Sequence, residues 1–309
     1  MKVLGIGNAI VDVICKVNDS FIEQNNLTKS TMKLLFDEHE FKNLLTNLKV
    51  EKTVSGGSVA NSIVGISQLG DKVGFIGKIS DDEFGKNYEE GLIKENVQFF
   101  YSKKKEVLPT GVCLILITPD SERTMCTFLG TAGKINEKDV NADSIKESEM
   151  IFLEGYLWDD GEPKKAFDKA INNSKKVAMS LSDQFCVDRH KVSFLDLVKN
   201  RVNVTFANEQ EITSLIEAKN FNEVINFSKQ LNKLIVITRG EKGSIVVNGK
   251  EVVENEIQKN LKVVDLTGAG DLFAAGFLHG YINKFSTKGC LEKGTEMASR
   301  VIQQFGARL

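Results

Sequence analysis

Short β-branched runs alternate with longer amphipathic patterns along most of this chain, and that alternation restricts the fold more than any other feature. Lys2 to Ile6, Lys72 to Gly77, Met150 to Gly155, Lys176 to Leu181, Asn203 to Phe206, Lys233 to Thr238 and Ser244 to Val247 carry strand-like runs. Between them, Ser58 to Leu69, Asp82 to Asn96, Lys164 to Asn173, Ser193 to Lys199, Asn208 to Ile216, Phe221 to Gln230, Gly268 to Ile282 and Gly289 to Phe305 have helical spacing. Helix starts carry the expected charge: Ser80-Asp81-Asp82-Glu83 puts acid in a first turn, and Asn208 precedes Glu209 and Glu211. Strand-helix-strand order of this kind predicts an α/β class fold, a three-layer sandwich with a mostly parallel sheet covered on both faces.

Two stretches, within residues 11–54 and 97–129, fall outside the alternation. In the second, Cys113 to Thr118 and Thr124 to Leu129 read as a hairpin turned at Pro119-Asp120-Ser121-Glu122. Both are expected to form a small β-sheet lid that closes on a substrate and excludes water, although an insertion serves equally as a contact between copies. With three prolines and no Gly/Ser linker or charge block, residues 1–309 are expected to form a single domain.

Composition removes several function classes. Of 309 residues, 41% are hydrophobic and 27% charged, which suits a folded globular chain. Forty basic against forty-two acidic residues leave a net charge of -2, so no global field gathers nucleic acid or anionic lipid. The longest apolar run, Val112 to Ile117, is far short of the roughly 20 residues a membrane helix needs. Asp12 arrives before a signal-peptide core can form, so the expected location is cytoplasmic. Cys15, Cys113, Cys126, Cys186 and Cys290 are scattered and never spaced as C-x-x-C, which predicts buried thiols in a reducing compartment. His39, His190 and His279 have no metal-ligand spacing and are expected to be structural or surface residues.

The segment Val263-Val264-Asp265-Leu266-Thr267-Gly268-Ala269-Gly270-Asp271-Leu272 carries the most chemistry. An apolar strand end is expected to run through a glycine turn straight into an apolar helix, leaving the amides of Gly268, Ala269 and Gly270 without intrahelical partners. Glycine admits a phosphate close to the backbone, and the helix dipole adds about half a positive charge, so the turn is an anion hole. Asp271 falls in the first helical turn, where the dipole favours its ionised form and it can orient or deprotonate a hydroxyl. The same residues also suit a plain strand-to-helix turn. Ser55-Gly56-Gly57-Ser58-Val59-Ala60-Asn61 is a second glycine pair opening a helix, with the Asn61 amide offering a donor and an acceptor to a sugar hydroxyl. Gly5-Ile6-Gly7-Asn8-Ala9-Ile10 begins like a dinucleotide fingerprint but has Ile10 at the third glycine and no helix after it. No Gly-x4-Gly-Lys-Ser/Thr occurs.

Asp265-Leu266-Thr267-Gly268-Ala269-Gly270-Asp271 resembles the second signature of the ribokinase-like (PfkB) carbohydrate kinase family, and Gly56-Gly57-x-x-x-Asn61 is similar to the first, in the family's order. The resemblance runs from Asp12 to the helix after Gly289. It implies a ribokinase-like fold, ATP and Mg²⁺ as cosubstrate and ion, and phosphoryl transfer to a primary hydroxyl. Asp271 is then the base and Gly268, Ala269 and Gly270 the anion hole. Asn8, Asp12, Gly56, Gly57 and Asn61 would hold the acceptor, with Asp12 accepting from two of its hydroxyls. Asn208 and Glu211, in Asn-x-x-Glu, would organise Mg²⁺ through water. Thr238, Gly240 and Gly243, with Gly268, would line the nucleotide. Asp265 and Thr267 are implied as ligands of a possible K⁺, which the short segment after Phe305 puts in question. Gly7-Asn8, Glu154-Gly155-Tyr156-Leu157-Trp158 and Leu181-Ser182-Asp183-Gln184 look most like a bacterial adenosine-kinase-like branch, and Phe36, Phe128 and Phe185 are candidates to stack on a purine. Adenosine is the first expectation for the acceptor, a free pentose, hexose or keto-deoxy sugar the second, and a non-catalytic binding module a remote third. Monomer and homodimer both stay open. Arg123 is expected to be a surface residue.

Overall fold

The computed structural model describes residues 1–120, 122–159 and 162–309. Its strands run in chain order as β1 Val3–Ile6, β2 Ile10–Lys16, β3 Met32–Leu35, β4 Val50–Ser55, β5 Val73–Ile76, β6 Val97–Phe99 and β7 Gly111–Ile117. They continue as β8 Arg123–Phe128, β9 Met150–Glu154, β10 Val177–Ser180, β11 Val204–Asn208, β12 Leu234–Thr238, β13 Ser244–Asn248 and β14 Glu251–Asn255. Nine form one sheet in the order β14-β13-β12-β11-β10-β9-β1-β5-β6, and five form a second in the order β3-β8-β7-β2-β4. In the large sheet β12 through β6 are parallel, while β13 and β14 add an antiparallel edge.

Side-chain alternation explains why the central strands read as unbroken apolar runs. On β9, Met150 and Phe152 enter a core shared with Ile63 and Phe277, while Ile151 and Leu153 enter a separate core with Phe167 and Phe194. Both faces are covered, so neither needs a polar residue. Burying one such Phe contributes about 2–3 kcal/mol. Helices Ser58–Gln68, Ala269–Ile282 and Thr287–Val301 contribute to the first core, and Pro163–Asn173, Gln184–Asp196 and Glu209–Ile216 to the second. This is the three-layer α/β/α sandwich that the alternation predicts, and its seven expected strands lie within two residues of their expected ends.

Several local expectations need correction. Residues 256–268 form no strand: Val263 and Leu266 are exposed, and the amides of Val264 and Asp265 bond to the Ile302 carbonyl instead. The helix expected over Ser193–Lys199 begins at Gln184, capped by Asp183, and ends in a wider turn over Leu197–Arg201. A non-helical backbone at His190 breaks its periodicity, which hid its first half. The helix expected from Gly289 to Phe305 spans Thr287–Val301. Short helices at Asp19–Gln24, Glu38–Thr46 and Ala142–Glu147 escape the periodic reading. All five cysteines are buried, and among the described residues none forms a disulfide. No described helix is long and apolar enough to cross a membrane.

The two irregular stretches supply the second sheet, except that β6 joins the edge of the large one. The β7–β8 hairpin is present, with Ser121 of its expected turn outside the described residues. One face of this sheet, carrying Val11, Val13, Leu114, Leu116 and Cys126, is packed into the main core with Phe41 and Leu44. The other carries Ile10, Asp12 and Ile14 beside Cys113, Ile115 and Met125, a largely apolar surface with one carboxylate in it, edged by Thr127, Arg123 and Lys52. The chain passes from β1 to β2 through residues 7–9, so the first strand of the large sheet delivers Asp12 to the small one.

Candidate active site

The expected site residues gather at the carboxyl ends of the parallel strands, the edge where open α/β sheets bind ligands. Asn8 follows β1, Glu154 ends β9, Asn208 ends β11 and Thr238 ends β12. The structure divides them into a buried cluster around Asp271 and an open cleft around Asn208.

Asp271 lies in the first turn of the helix Ala269–Ile282. Its carboxylate accepts from Ser58 Oγ at 2.6 Å and from Asn61 Nδ2 at 3.0 Å, residues more than two hundred positions away in sequence. Ser62 Oγ also donates to the Asp271 carbonyl at 2.9 Å, so helix Ser58–Gln68 fixes both ends of this residue. The dipole does not dominate its charge state. Burial pushes the Asp271 carboxyl upward, opposed by Ser58, Asn61 and the Arg308 guanidinium. Asn61 does not stand free for a ligand as expected, because its Nδ2 is given to Asp271 and its Oδ1 accepts from Arg308 Nε at 3.0 Å.

Gly268 caps the helix in the left-handed region, φ 77°, and a Cβ there would lie 2.6 Å from Ala307 Cα. A Cβ on Gly270 would meet nothing within 4 Å, so the turn faces open space. Of the three expected anion-hole amides, Ala269 N–H is already bonded to the Leu266 carbonyl at 3.2 Å. No hydrogen bond among the described residues engages the amides of Gly268 and Gly270, which leaves those two for an anion.

Gly57 sits at φ 98° as the N-cap of its helix, and a Cβ there would come within 2.4 Å of the Asn8 carbonyl. At Gly56 a side chain would strike the Asp12 carboxylate, with all three of its atoms within 2.5 Å. Its amide is bonded to the Ile10 carbonyl at 2.7 Å, so the glycine pair makes room for Asp12 rather than offering both amides to a ligand. Burial pushes the Asp12 carboxyl up to about 7, with Arg308 acting against it and Asp271 with it.

Asn8 is fully buried and turned toward Glu154, which sequence reasoning did not single out as a site residue. The Asn8 amide N–H and Nδ2 both donate to Glu154 Oε1, at 3.3 and 3.0 Å, and Val59 N–H donates to Oε2 at 3.0 Å. Glu154 thus ties β1, β9 and the start of helix Ser58–Gln68 together, and burial pushes its carboxyl to about 7 despite these donors. The one signal for it was a glutamate closing an otherwise wholly apolar strand.

On the other side, a cleft of about 890 Å³ is lined by Asn208, Glu209, Thr238, Arg239, Gly240 and Lys242 among others. Asn208 and Glu211 form a reciprocal capping box: Asn208 Oδ1 accepts from Glu211 N–H at 2.8 Å, and Glu211 accepts from Asn208 N–H at 3.0 Å and Nδ2 at 2.7 Å. Burial pushes Glu211 to about 7. Gly243, φ 83°, packs against the Asn255 carbonyl behind the loop rather than lining the cleft. Burial, and after it the charges of Asp183, Glu211 and Asp271, push the Tyr156 hydroxyl well above its usual range.

Among the described residues no group of three His, Cys, Asp or Glu converges on a point. Asp265 and Thr267 do not fit a K⁺ site. Asp265 Oδ1 accepts from Thr267 N–H and Oγ1, and Oδ2 from Gly306 N–H at 2.8 Å, while Arg123 Nη1 pairs with Oδ2 at 2.7 Å. Arg123 is therefore not a surface residue: its side chain is 16% exposed, and its guanidinium also lies 5.4 Å above the Phe305 ring. Phe128 is core, stacked on Phe41 at 5.2 Å, whereas Phe36 and Phe185 are exposed.

Comparison with known proteins agrees with this architecture. A family model described as pfkB family carbohydrate kinase matches residues 23–309. The crystal structure of adenosine kinase from Sinorhizobium meliloti superposes with a TM-score of 0.91 at 37% identity, covering 100% of this chain and 95% of that one. A probable sugar kinase protein from Rhizobium etli CFN 42 follows at 0.89 and 36%, covering 99% and 94%. A 5-dehydro-2-deoxygluconokinase of Clostridium botulinum is 25% identical over 287 residues, 86% of this chain and 84% of that protein.

Proposed function

Since this chain belongs to the PfkB family of carbohydrate kinases and is a phosphotransferase, we propose that it moves the γ-phosphoryl group of ATP to the primary hydroxyl of a nucleoside, with adenosine as the acceptor. The observation that carries this reading is the apolar face of the small sheet around Asp12. Ile10, Ile14, Cys113, Ile115 and Met125 line it next to the carboxylate that would accept from two sugar hydroxyls. A nucleobase would bury against such a face, while a free sugar has little to place there. The 37% identity to the Sinorhizobium adenosine kinase supports the same choice.

In this reading the small sheet is a lid that closes on the acceptor and removes water. Asp12 and the glycine pair fix the ribose, and Asp271 orients the primary hydroxyl and takes its proton as the oxygen–phosphorus bond forms. The bond from the γ-phosphorus to ADP breaks, and the Gly268 and Gly270 amides hold the charge on the transferring group. The nucleotide would lie along Thr238 to Lys242, and Mg²⁺ brought with it would supply charge neutralisation at the phosphates, with Glu211 and Asn208 the residues that would order its water.

A free-sugar acceptor is the second reading, favoured by the 36% identity to the Rhizobium probable sugar kinase. ADP release from Mg-ATP is to be measured with adenosine, other nucleosides, ribose, fructose, 2-keto-3-deoxygluconate and 5-dehydro-2-deoxygluconate, using Asp271→Asn as the blank. Turnover with adenosine and not with free sugars is the expected result. Turnover on a free sugar alone keeps the fold and the family but overturns the acceptor.

A further inference from the structure

We infer that Arg308 is a positioning residue of the acceptor site: it fixes the Asn61 amide so that its NH₂ group faces the Asp271 carboxylate. This rests on Asp271 being the base, as proposed above.

The geometry begins with three consecutive residues, each laid against a different part of the site. Gly306 N–H donates to Asp265 Oδ2 at 2.8 Å. Ala307 fills the space behind Gly268, where a Cβ would be 2.6 Å away. Arg308 Nε donates to Asn61 Oδ1 at 3.0 Å across 247 positions of sequence. The segment is held in place in turn, since Gln304 Nε2 donates to the Arg308 carbonyl at 2.6 Å and Gln68 Nε2 to the Leu309 carbonyl at 3.1 Å.

Chemistry then leaves Asn61 one orientation. A guanidinium only donates and an ionised carboxylate only accepts, so an amide between them must turn its oxygen to Arg308 and its nitrogen to Asp271. A flipped amide would set carbonyl against carboxylate and NH₂ against guanidinium. Without Arg308 nothing on that side prevents the flip, and Asp271 would lose one of its two side-chain donors. A second observation argues against mere packing. Arg308 Nη2 is buried with no hydrogen-bond partner, a cost that an apolar side chain filling the same space would avoid.

The charges around Asp271 come from several elements. Asp12 from β2, Glu154 from β9 and Tyr156 just after it share a field with Asp271, and Arg308 is the cation among them. Removing that cation makes Asp271 harder to ionise.

The experiment is a double-mutant cycle on kcat between Arg308→Met and Asn61→Ala, with pH profiles for each and Asp271→Asn in parallel. Thermal melts check that each variant is folded. Arg308→Met is expected to lower kcat roughly ten- to a hundredfold, leave KM for ATP within about threefold, and move the acid limb of the kcat profile to higher pH. In the Asn61→Ala background the same change is expected to cost far less, because its partner is gone. If Arg308→Met does not fold, Arg308→Lys carries the cycle, with kcat lowered but the acid limb nearly in place. Additive effects, or an acid limb that does not move in folded Arg308→Met, overturn the role of Arg308. Near-native turnover by Asp271→Asn instead overturns the base itself, so the two failures are told apart.

Discussion

The two halves of the site are built by opposite means. Around Asp271 the polar groups are buried and linked one to another over long sequence separations. Around Asn208 the groups pair with neighbours three positions away or across an open cleft. Arg239 lies 3.8 Å above the Phe221 ring and pairs with Glu209 at 2.9 Å, and Lys242 joins the same carboxylate at 3.2 Å. An acceptor hydroxyl must be held within tenths of an ångström of the reacting phosphorus, which calls for a rigid, dry, over-connected cluster. In the proposed reaction a nucleotide supplies its own charge and ion, so its half of the site can stay open, and rigidity is concentrated around the proposed base.

Four substitutions break or sharpen this contrast. Asp271→Asn is expected to lower kcat by about two orders of magnitude or more with KM little changed, read by steady-state ADP release. Turnover near that of the native chain would refute the assignment.

Asp12→Asn is expected to raise KM for the acceptor by about tenfold or more and yet stabilise the empty protein at pH 8. The sign follows from linkage. Asp12 is raised to about 7 when folded against 3.8 as an ordinary carboxyl, so the native state holds a proton the unfolded chain has lost. Its destabilising effect is absent below pH 4, grows as pH rises toward 7, and persists above. Discounted for its partial exposure and for the Arg308 charge left behind, the gain at pH 8 is about 1–2 kcal/mol. Urea unfolding at pH 5 and pH 8 would show a clearly larger gain at the higher pH, and a loss of stability at both would sink the idea.

Gly57→Ala is expected to destabilise by roughly 2–3 kcal/mol, because the methyl meets the Asn8 carbonyl in a backbone region that L side chains avoid. Denaturant midpoints test it, and a change under 0.5 kcal/mol would mean the helix start can shift. Asn208→Ala, on the open side, is expected to cost only about 1 kcal/mol, the value of one helix cap. A loss as large as that of Gly57→Ala would erase the contrast between the halves.

Much of this was legible before any coordinates. The seven strands of the alternating part were readable because a strand buried on both faces must be apolar throughout. The capping box at Asn208 and Glu211 and the glycine turn before Asp271 were readable because their parts are adjacent in sequence. The small sheet's edge strands β3 and β4 were not, since one is short and the other is exposed along most of its length.

Local spacing thus determined the sandwich and the glycine turn before Asp271, while the resemblance to the PfkB family supplied the expected roles of most site residues. Only the tertiary structure decided what those residues touch. It gave Asn61 to Asp271 and Arg308, Asn8 to Glu154, and Arg123 to Asp265, and it freed two of the three turn amides rather than all. The reason is physical: a backbone bond is set by the next few residues, but a buried side chain's partner is set by which distant element closes over it. Burial then chooses the charge state as well, which no spacing in the sequence records.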